Sequence, residues 1–304
     1  MSAFVPSVGL FRPDESAAYS YPEHIDRASL AALPRSPGIY IFEDARARPL
    51  YIGKSVNIRA RVLSHLRTPD EARLLQQTHR IDFRRTAGEL GALLLESHLI
   101  KALQPVHNKL LRRTREMCAF RLDGDVPVLV HARDLDFART QNLYGLFATR
   151  RAALERLREL VDAHRLCPVA CGLEAPGRAG RPCFACQLGR CAGACVGRES
   201  RARHARRLAV ALEDWRVPVW PYPGAVGIVE TGDGLRQMHV VDHWCYLGTH
   251  DQRFPSCAPA GGQARFDVDT YSILVEPLML GQLEVRLLKP RRRAGNRSVS
   301  GAWA

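Results

Sequence analysis

Lysine is nearly missing from this chain. Of 44 basic residues only Lys54, Lys101, Lys109 and Lys289 are lysines, and the other 44 − 4 = 40 are arginines. Aromatic residues are few, at 7%. No apolar run approaches the roughly 18 residues that a membrane-spanning helix needs, so a span is not expected. The opening residues, MSAFVPSVGLFRPDESAAYSYPEH, have neither a basic start nor a long apolar stretch. A secretory leader is therefore not expected, and a soluble, cytoplasmic chain without a membrane partner is. No internal repeat is visible, which sets solenoids and propellers aside.

What remains is a chain of 304 residues, 46% hydrophobic and 25% charged. That is enough for about two ordinary domains and excludes wholesale disorder. The formal charge is 44 − 31 = +13. Arginine forms planar, bidentate contacts with phosphate, so an arginine-dominated surplus points to a polyanion such as nucleic acid. Codon usage in a GC-rich genome would also inflate arginine, so charge alone does not decide.

The pattern along the chain reads as α+β. Residues 1–22 lack periodicity and read as a loose arm. A short helix is expected over Glu23–Leu33, a strand over Gly38–Asp44 and a second over Leu50–Gly53. Helical spacing follows over Ser55–Leu66 and Asp70–His79, then a strand over Ile81–Thr86. Glu89–Leu103 has strong helical periodicity and is closed by Pro105. Two short strands, MCAFRL and VPVLVHA, precede an Arg/Glu-rich helix over Thr149–Leu166. A Cys/Gly/Pro region and a basic helix over Glu199–Trp215 follow. From Pro218 the pattern turns to β, and the basic tail from Lys289 reads as unstructured.

One carboxylate is out of place. Glu96 falls on the face of its helix occupied by Leu93, Leu99, Ile100 and Leu103. A carboxylate on an apolar stripe costs several kcal/mol unless it is paired or holds a metal. An arginine partner in a structural ion pair would satisfy it equally. The residues before it add weight to the metal reading. Tyr40 and Tyr51 close two neighbouring strands, Lys54 follows, Arg61 and His65 share a helix face at i and i+4, and Asn108 comes after Pro105. Phosphodiester hydrolysis needs such a set: a base for water, cations for the developing charge and a carboxylate for a metal.

These residues resemble the GIY-YIG nucleases: Gly38-Ile39-Tyr40, Tyr51-Ile52-Gly53-Lys54, Arg61, Glu96 and Asn108 match that family's pattern. TAGELGALLLESHLIKALQPVHNKLL is similar to its UvrC branch, and the half-length chain to the shorter, Cho-type homologues. The nuclease resemblance covers about residues 34–113, and a looser one runs to about 290. It implies that Glu96 holds one divalent cation, Mg²⁺ or Mn²⁺. It further implies that Tyr51 is or positions the general base, Tyr40 shares its hydrogen-bond network, Arg61 and Lys54 stabilise or orient the phosphate, and Asn108 braces the site. His65 departs from the tyrosine usual in UvrC, which leaves the general base open between Tyr51 and His65. The implied substrate is double-stranded DNA with a bulky lesion, marked by UvrA and UvrB and cut on the 3′ side. The implied products are a 5′-phosphate and a 3′-hydroxyl. Two rival functions share the sequence: a stand-alone nuclease outside repair, and a non-catalytic nucleic-acid-binding protein with a structural metal.

Six of the nine cysteines lie between Cys167 and Cys195. Without a leader, such a cluster reads as metal ligation rather than disulfides. Four thiolates suit zinc or an iron–sulfur cluster, and only one CxxC (Cys183 to Cys186) is present. RPCFACQLGRCAGACVG resembles the UvrC cysteine element, which implies a [4Fe–4S] cluster on Cys183, Cys191, Cys195 and a first ligand. Cys167 is preferred there and Cys171 is the alternative, with Cys186 a spare. Arg59, Arg112, Arg113, Arg181 and Arg190 are candidates for phosphate contact, with Arg178 and Arg198 beside them. The expected organisation is a nuclease domain over 23–113 with a small antiparallel sheet flanked by helices. A Cys-rich helical linker follows over 114–215, then a small β-rich domain over 216–288 and a basic tail over 289–304. The histidines and aspartates of the β-rich part have no defensible ligand spacing, and its tryptophans and tyrosines are expected in the core.

Overall fold

The computed structural model describes residues 22–111, 116–178, 181–251 and 265–288. The first part opens with α1 (Arg27–Ala31), capped by Asp26 and shorter than the expected Glu23–Leu33. Strands β1 (Gly38–Glu43) and β2 (Pro49–Ser55) form an antiparallel hairpin. The chain then turns through Ser55 and Asn57, and α2 (Ile58–Leu66) starts where the Asn57 side chain accepts from the Ala60 amide. The helix therefore begins later than Ser55, and Val56 is left exposed in the turn. The expected helix over Asp70–His79 is a 3₁₀ turn at Pro69–Glu71 followed by α3 (Ala72–Gln77). Strand β3 (Arg80–Arg85) completes a sheet of order β2-β1-β3. Helix α4 (Glu89–Leu103) has the bounds that its periodicity predicts.

The two faces of this sheet follow from strand alternation. Tyr40, Phe42 and Leu50 pack with Ile58, Val62 and Leu66 of α2 and with Leu74 and Leu75 of α3. Ile39, Ile41 and Ile52 point the other way, against Leu99 and Ile100 of α4. Strand β2 lies at the sheet edge, and its outer side is closed by the segment after α4. The His107 amide donates to the Leu50 carbonyl at 2.9 Å, and the Asn108 side chain pairs with both backbone groups of Ile52.

In the middle segment a third strand joins the two expected ones to make a sheet. Strands β4 (Cys118–Asp123), β5 (Val126–His131) and β6 (Leu143–Phe147) pair in the order β5-β4-β6. Strand β6 was not expected from the sequence. Helix α5 (Arg150–Ala163), the single turn α6 (Phe184–Gln187) and the basic α7 (Arg201–Leu212) follow, with α5 and α7 capped by Thr149 and Ser200. A 3₁₀ turn over Glu213–Trp215 ends what the pattern read as one helix. Leu157, Leu160, Leu208 and Leu212 cover one face of this sheet together with Phe120 and Tyr144.

The last part is a four-stranded sheet of order β10-β7-β8-β9, formed by β7 (Val226–Gly232), β8 (Leu235–Asp242), β9 (Cys245–Asp251) and β10 (Glu284–Leu287), with α8 (Val268–Met279) before β10. The stretch read as continuous β is cut by a two-residue turn at His243 and Trp244, both at positive φ (50° and 59°). Trp220, Trp244 and Tyr246 are buried, as expected, in a core that also holds Leu94 of α4 and Ala119 and Leu143 of the middle sheet. Helix α4 thus packs on the first sheet with one face and on the last part of the chain with another. Among the described residues no helix is long and apolar enough to cross a membrane.

Candidate active site

Strand register places the two tyrosines. Tyr40 lies opposite Gly53 and Phe42 opposite Tyr51, so Tyr40 and Tyr51 share a face on the diagonal, with ring centroids 6.2 Å apart. A side chain at position 53 would overlap the Tyr40 phenol, so glycine there lets the ring lie across β2. Gly38, at the other end of the motif, has φ +152° and sits against the Arg84 carbonyl of β3, where no side chain fits. Both glycines of the pattern therefore have steric reasons.

Behind the tyrosines lies a buried chain of hydrogen bonds. The Tyr40 hydroxyl is 2.7 Å from His65 Nε2, and His65 Nδ1 is 3.2 Å from the Glu71 carboxylate. An ionised carboxylate only accepts, so Nδ1 carries the proton and Nε2 accepts from Tyr40. Tyr40 and His65 are 1% and 5% exposed, so neither meets bulk water. Burial holds His65 below its usual pKa, partly offset by Glu71. Burial, reinforced by neighbouring Tyr51, pushes the Tyr40 phenol above its usual range, and the Arg61 guanidinium beside its hydroxyl opposes this. Tyr51 is also raised, by burial and then by the Glu96 charge. It is the more open phenol and borders a groove of about 630 Å³ that also meets Glu71, Arg73, His107 and Lys109.

Among the described residues Glu96 has no arginine partner. Its Oε1 accepts from the backbone amide of Lys54 at 2.9 Å, at the end of β2. Burial raises its pKa against the Lys54 amide and charge. Lys54 Nζ pairs with Glu89 at 2.5 Å, on the first turn of α4. Leu103, expected on the same buried stripe, is 46% exposed because α4 ends there. A single half-buried carboxylate fits a cation that keeps most of its shell as water and phosphate oxygens, as Mg²⁺ does. The structure thus brings Tyr40, Tyr51, Lys54, Arg61, His65 and Glu96 to one end of the β1–β2 hairpin, and Asn108 pins β2 from outside. Arg59 is half-buried, and its guanidinium donates to the Ala31 carbonyl at 3.4 Å. Arg112 and Arg113 lie outside the described residues. Glu71 and Glu89 were not foreseen. Their partners are set by a turn and by a strand–helix contact that no local spacing records.

The cysteines divide cleanly. The Sγ atoms of Cys167, Cys183, Cys191 and Cys195 all lie within 4.8 Å of one another. Cys171 is buried elsewhere, in the core beneath α5 and α7, and burial pushes its thiol up to about 12. Cys186 packs beside the four but outside their set. The Cys167 amide donates to buried His204 of α7, and Glu199 holds Arg207, which reaches the His164 carbonyl. Arg181 and Arg190 are exposed around this loop.

Three families match consecutive parts of the chain. They are the UvrC-like GIY-YIG domain over residues 36–109, the UvrC/Cho excinuclease middle domain over 117–214 and the Excinuclease Cho C-terminal domain over 225–292. Excinuclease cho of Escherichia coli (strain K12) is 49% identical over 278 residues, which are 91% of this chain and 94% of that protein. The chain belongs to the excinuclease Cho family. UvrABC system protein C of Aromatoleum aromaticum is 34% identical over 195 residues, 62% of this chain and 32% of that protein. The crystal structure of the magnesium-bound GIY-YIG N-terminal endonuclease domain of UvrC from Thermotoga maritima is 31% identical. It covers 27% of this chain and 93% of that chain, with a TM-score of 0.25. As a Cho-family protein the chain is an endonuclease of excision repair with a UvrC-like GIY-YIG domain.

Two outcomes are expected. Gly53→Ala displaces the Tyr40 ring without removing any functional group. A displacement of about 1 Å at a reacting group slows chemistry roughly a hundredfold, and DNA cleavage by this variant should fall by about that much while circular dichroism stays unchanged. The second concerns pH. His65 is less basic folded than unfolded, so the unfolded chain takes up the proton first. Stability from this group is full above the unfolded value of about 6.5 and is lost as pH falls from there toward the folded value. Thermal unfolding midpoints between pH 7.5 and 5.5 should fall, and His65→Gln should flatten that slope.

Proposed function

We propose that the chain makes a single incision on the 3′ side of a bulky lesion in double-stranded DNA, in a complex marked by UvrA and UvrB. The observation that carries this reading is the convergence of two tyrosines, two cations, a buried histidine and one carboxylate at one end of the first hairpin, with Tyr51 bordering a groove. One such place supports one cut per engagement.

In this reading Tyr51, the phenol on the groove, takes the proton of the attacking water. As it does so Tyr51 passes its own proton to Tyr40 behind it, and Tyr40 passes its proton to Nε2 of neutral His65, which Glu71 orients. His65 has both nitrogens engaged and no open face, which favours Tyr51 over it as the group that meets water. Arg61 draws down the phenols and stabilises charge on the pentacovalent phosphate, and Lys54 orients a phosphate oxygen. Glu96 would hold Mg²⁺ or Mn²⁺, which supplies charge neutralisation at the phosphate and the leaving oxygen when bound. The water oxygen bonds to phosphorus, the P–O3′ bond breaks, and O3′ takes a proton from solvent water, leaving a 5′-phosphate and a 3′-hydroxyl. Asn108 acts on none of these atoms. It fixes β2, and with it Tyr51. Arg181 and Arg190 serve as phosphate contacts, so binding should weaken as salt rises.

The four-thiolate site fits a Cys₄ centre. We read it as a [4Fe–4S] cluster that pins the arginine-bearing loop, on the resemblance of its cysteine element to that of UvrC. Zinc is the second reading, favoured by compactness. Thiolates about 2.3 Å from one tetrahedral zinc stand about 3.8 Å apart, and these stand within 4.8 Å.

The decisive assay uses an end-labelled duplex with one bulky adduct and Mg²⁺, with and without UvrA and UvrB, comparing wild type with Glu96→Gln. A discrete cut 3′ to the adduct is expected, dependent on both partners and at least a thousandfold slower in the variant. Cutting without the partners makes the chain a stand-alone nuclease, and no cutting with any metal makes it a binding protein. Anaerobically purified protein should be brown, with about four iron atoms per chain. Colourless protein with one zinc would establish the second reading.

A further inference from the structure

Helix α4 carries Glu96, yet its own sequence leaves its first turn uncapped. The N-cap is Gly88, which has no side chain to accept from the exposed amides. Those amides are satisfied from far along the chain. The Leu90 and Gly91 amides donate to the two carboxylate oxygens of Glu230 on β7, at 3.0 and 2.9 Å. The Ala87 amide donates to Gln237 of β8 at 2.8 Å. Glu230 is itself held by His239, which is fully buried and 3.1 Å away, and His239 is fixed by Thr249 of β9 at 2.8 Å. The two glycines of TAGELGALLLE make this contact possible. A side chain at Gly88 would strike the Glu230 carboxylate, and one at Gly91 would come within 2.7 Å of the His239 ring. At the other end of α4, Lys101 is clamped between Asp267 and Asp269, 2.6 Å from each.

We propose that Glu230 is a positioning residue for the nuclease, and that its carboxylate, capping α4 and locked by His239, sets the axial position from which Glu96 reaches the end of β2. The inference rests on the reading of Glu96 as the cation-holding group. The lever is short, because Leu90 and Glu96 are six residues apart, or about 9 Å along a helix. A negative charge at a helix N-terminus is favourable, and the amides it accepts from are the ones a fraying first turn loses. The last part of the chain is then part of the catalytic mount and not only a module attached to it.

The test uses the full chain and Mn²⁺ as the probe. Mn²⁺ binding is measured by titration calorimetry, the Mn²⁺ dependence of DNA cleavage gives an independent half-saturation, and hydrogen exchange follows the α4 amides. Glu230→Ala is expected to weaken Mn²⁺ binding at least fivefold, to raise the half-saturating Mn²⁺ by the same factor and to speed exchange in residues 89–96. Glu230→Gln keeps one carbonyl oxygen for the Leu90 amide and should fall between alanine and wild type. It carries the test alone should the alanine variant not fold. Asp233→Ala removes another contact between the same two parts, the pair with Arg85 on β3, and should leave Mn²⁺ affinity within twofold of wild type. Glu230 variants with wild-type Mn²⁺ affinity would overturn the proposal. An Asp233→Ala loss as large as that of Glu230→Ala would do the same, since docking in general would then explain both. Glu96→Gln separates the premise: if Mn²⁺ binding survives that change, the reading of Glu96 fails, whatever Glu230 does.

Discussion

Tyr40 and Gly53 face each other across the first hairpin, and the phenol ring lies over the glycine. This contact is steric and tolerates nothing larger than hydrogen on β2. From it follow the depth of the Tyr40 hydroxyl, its meeting with His65 on α2 and the open position left to Tyr51. Asn108 defends the contact from outside by holding both backbone groups of Ile52, which an edge strand would otherwise offer to solvent. The site is therefore built on strand register and not on loops, which suits groups that must stay within a fraction of an ångström.

Electrostatics in this site divide the titratable groups by depth. Burial disfavours charge on His65 and on both phenols, while Arg61 draws the phenols the other way. Glu96 is raised by burial and restrained by Lys54. Each group is thus poised by one desolvating contact and one opposing charge, and the Glu71–His65 pair fixes which imidazole nitrogen faces Tyr40.

Much of this was legible in sequence, for identifiable reasons. Helix α4 has strong periodicity and a proline just beyond it, so its bounds could be read. The misplaced Glu96 announced itself by sitting on an apolar stripe. The partners of the site could not be read. Glu71 reaches His65 around a 3₁₀ turn, and Glu230 reaches α4 from 139 and 140 positions away. Helix α8 was hidden by Pro277 within it. The β8–β9 turn was hidden because His243 and Trp244 adopt positive φ where asparagine and glycine are the usual signals. Spacing left Cys167 and Cys171 open, since both precede Cys183 at plausible gaps. The packing of α5 on α7 separates them, burying Cys171 in a core four residues from the thiol cluster.

The capping of α4 also has a consequence in time. A ribosome adds residues in order, and the amides of Leu90 and Gly91 emerge 140 and 139 positions before the carboxylate that receives them. At about 5–20 residues per second, that gap lasts roughly 7–28 s. Through that interval the hairpin and its tyrosines can form while the helix bearing Glu96 lacks its first-turn partners. On the proposed role of Glu230, a nascent chain holds Glu96 on an unset helix, and it is the last sheet, on arrival, that sets it.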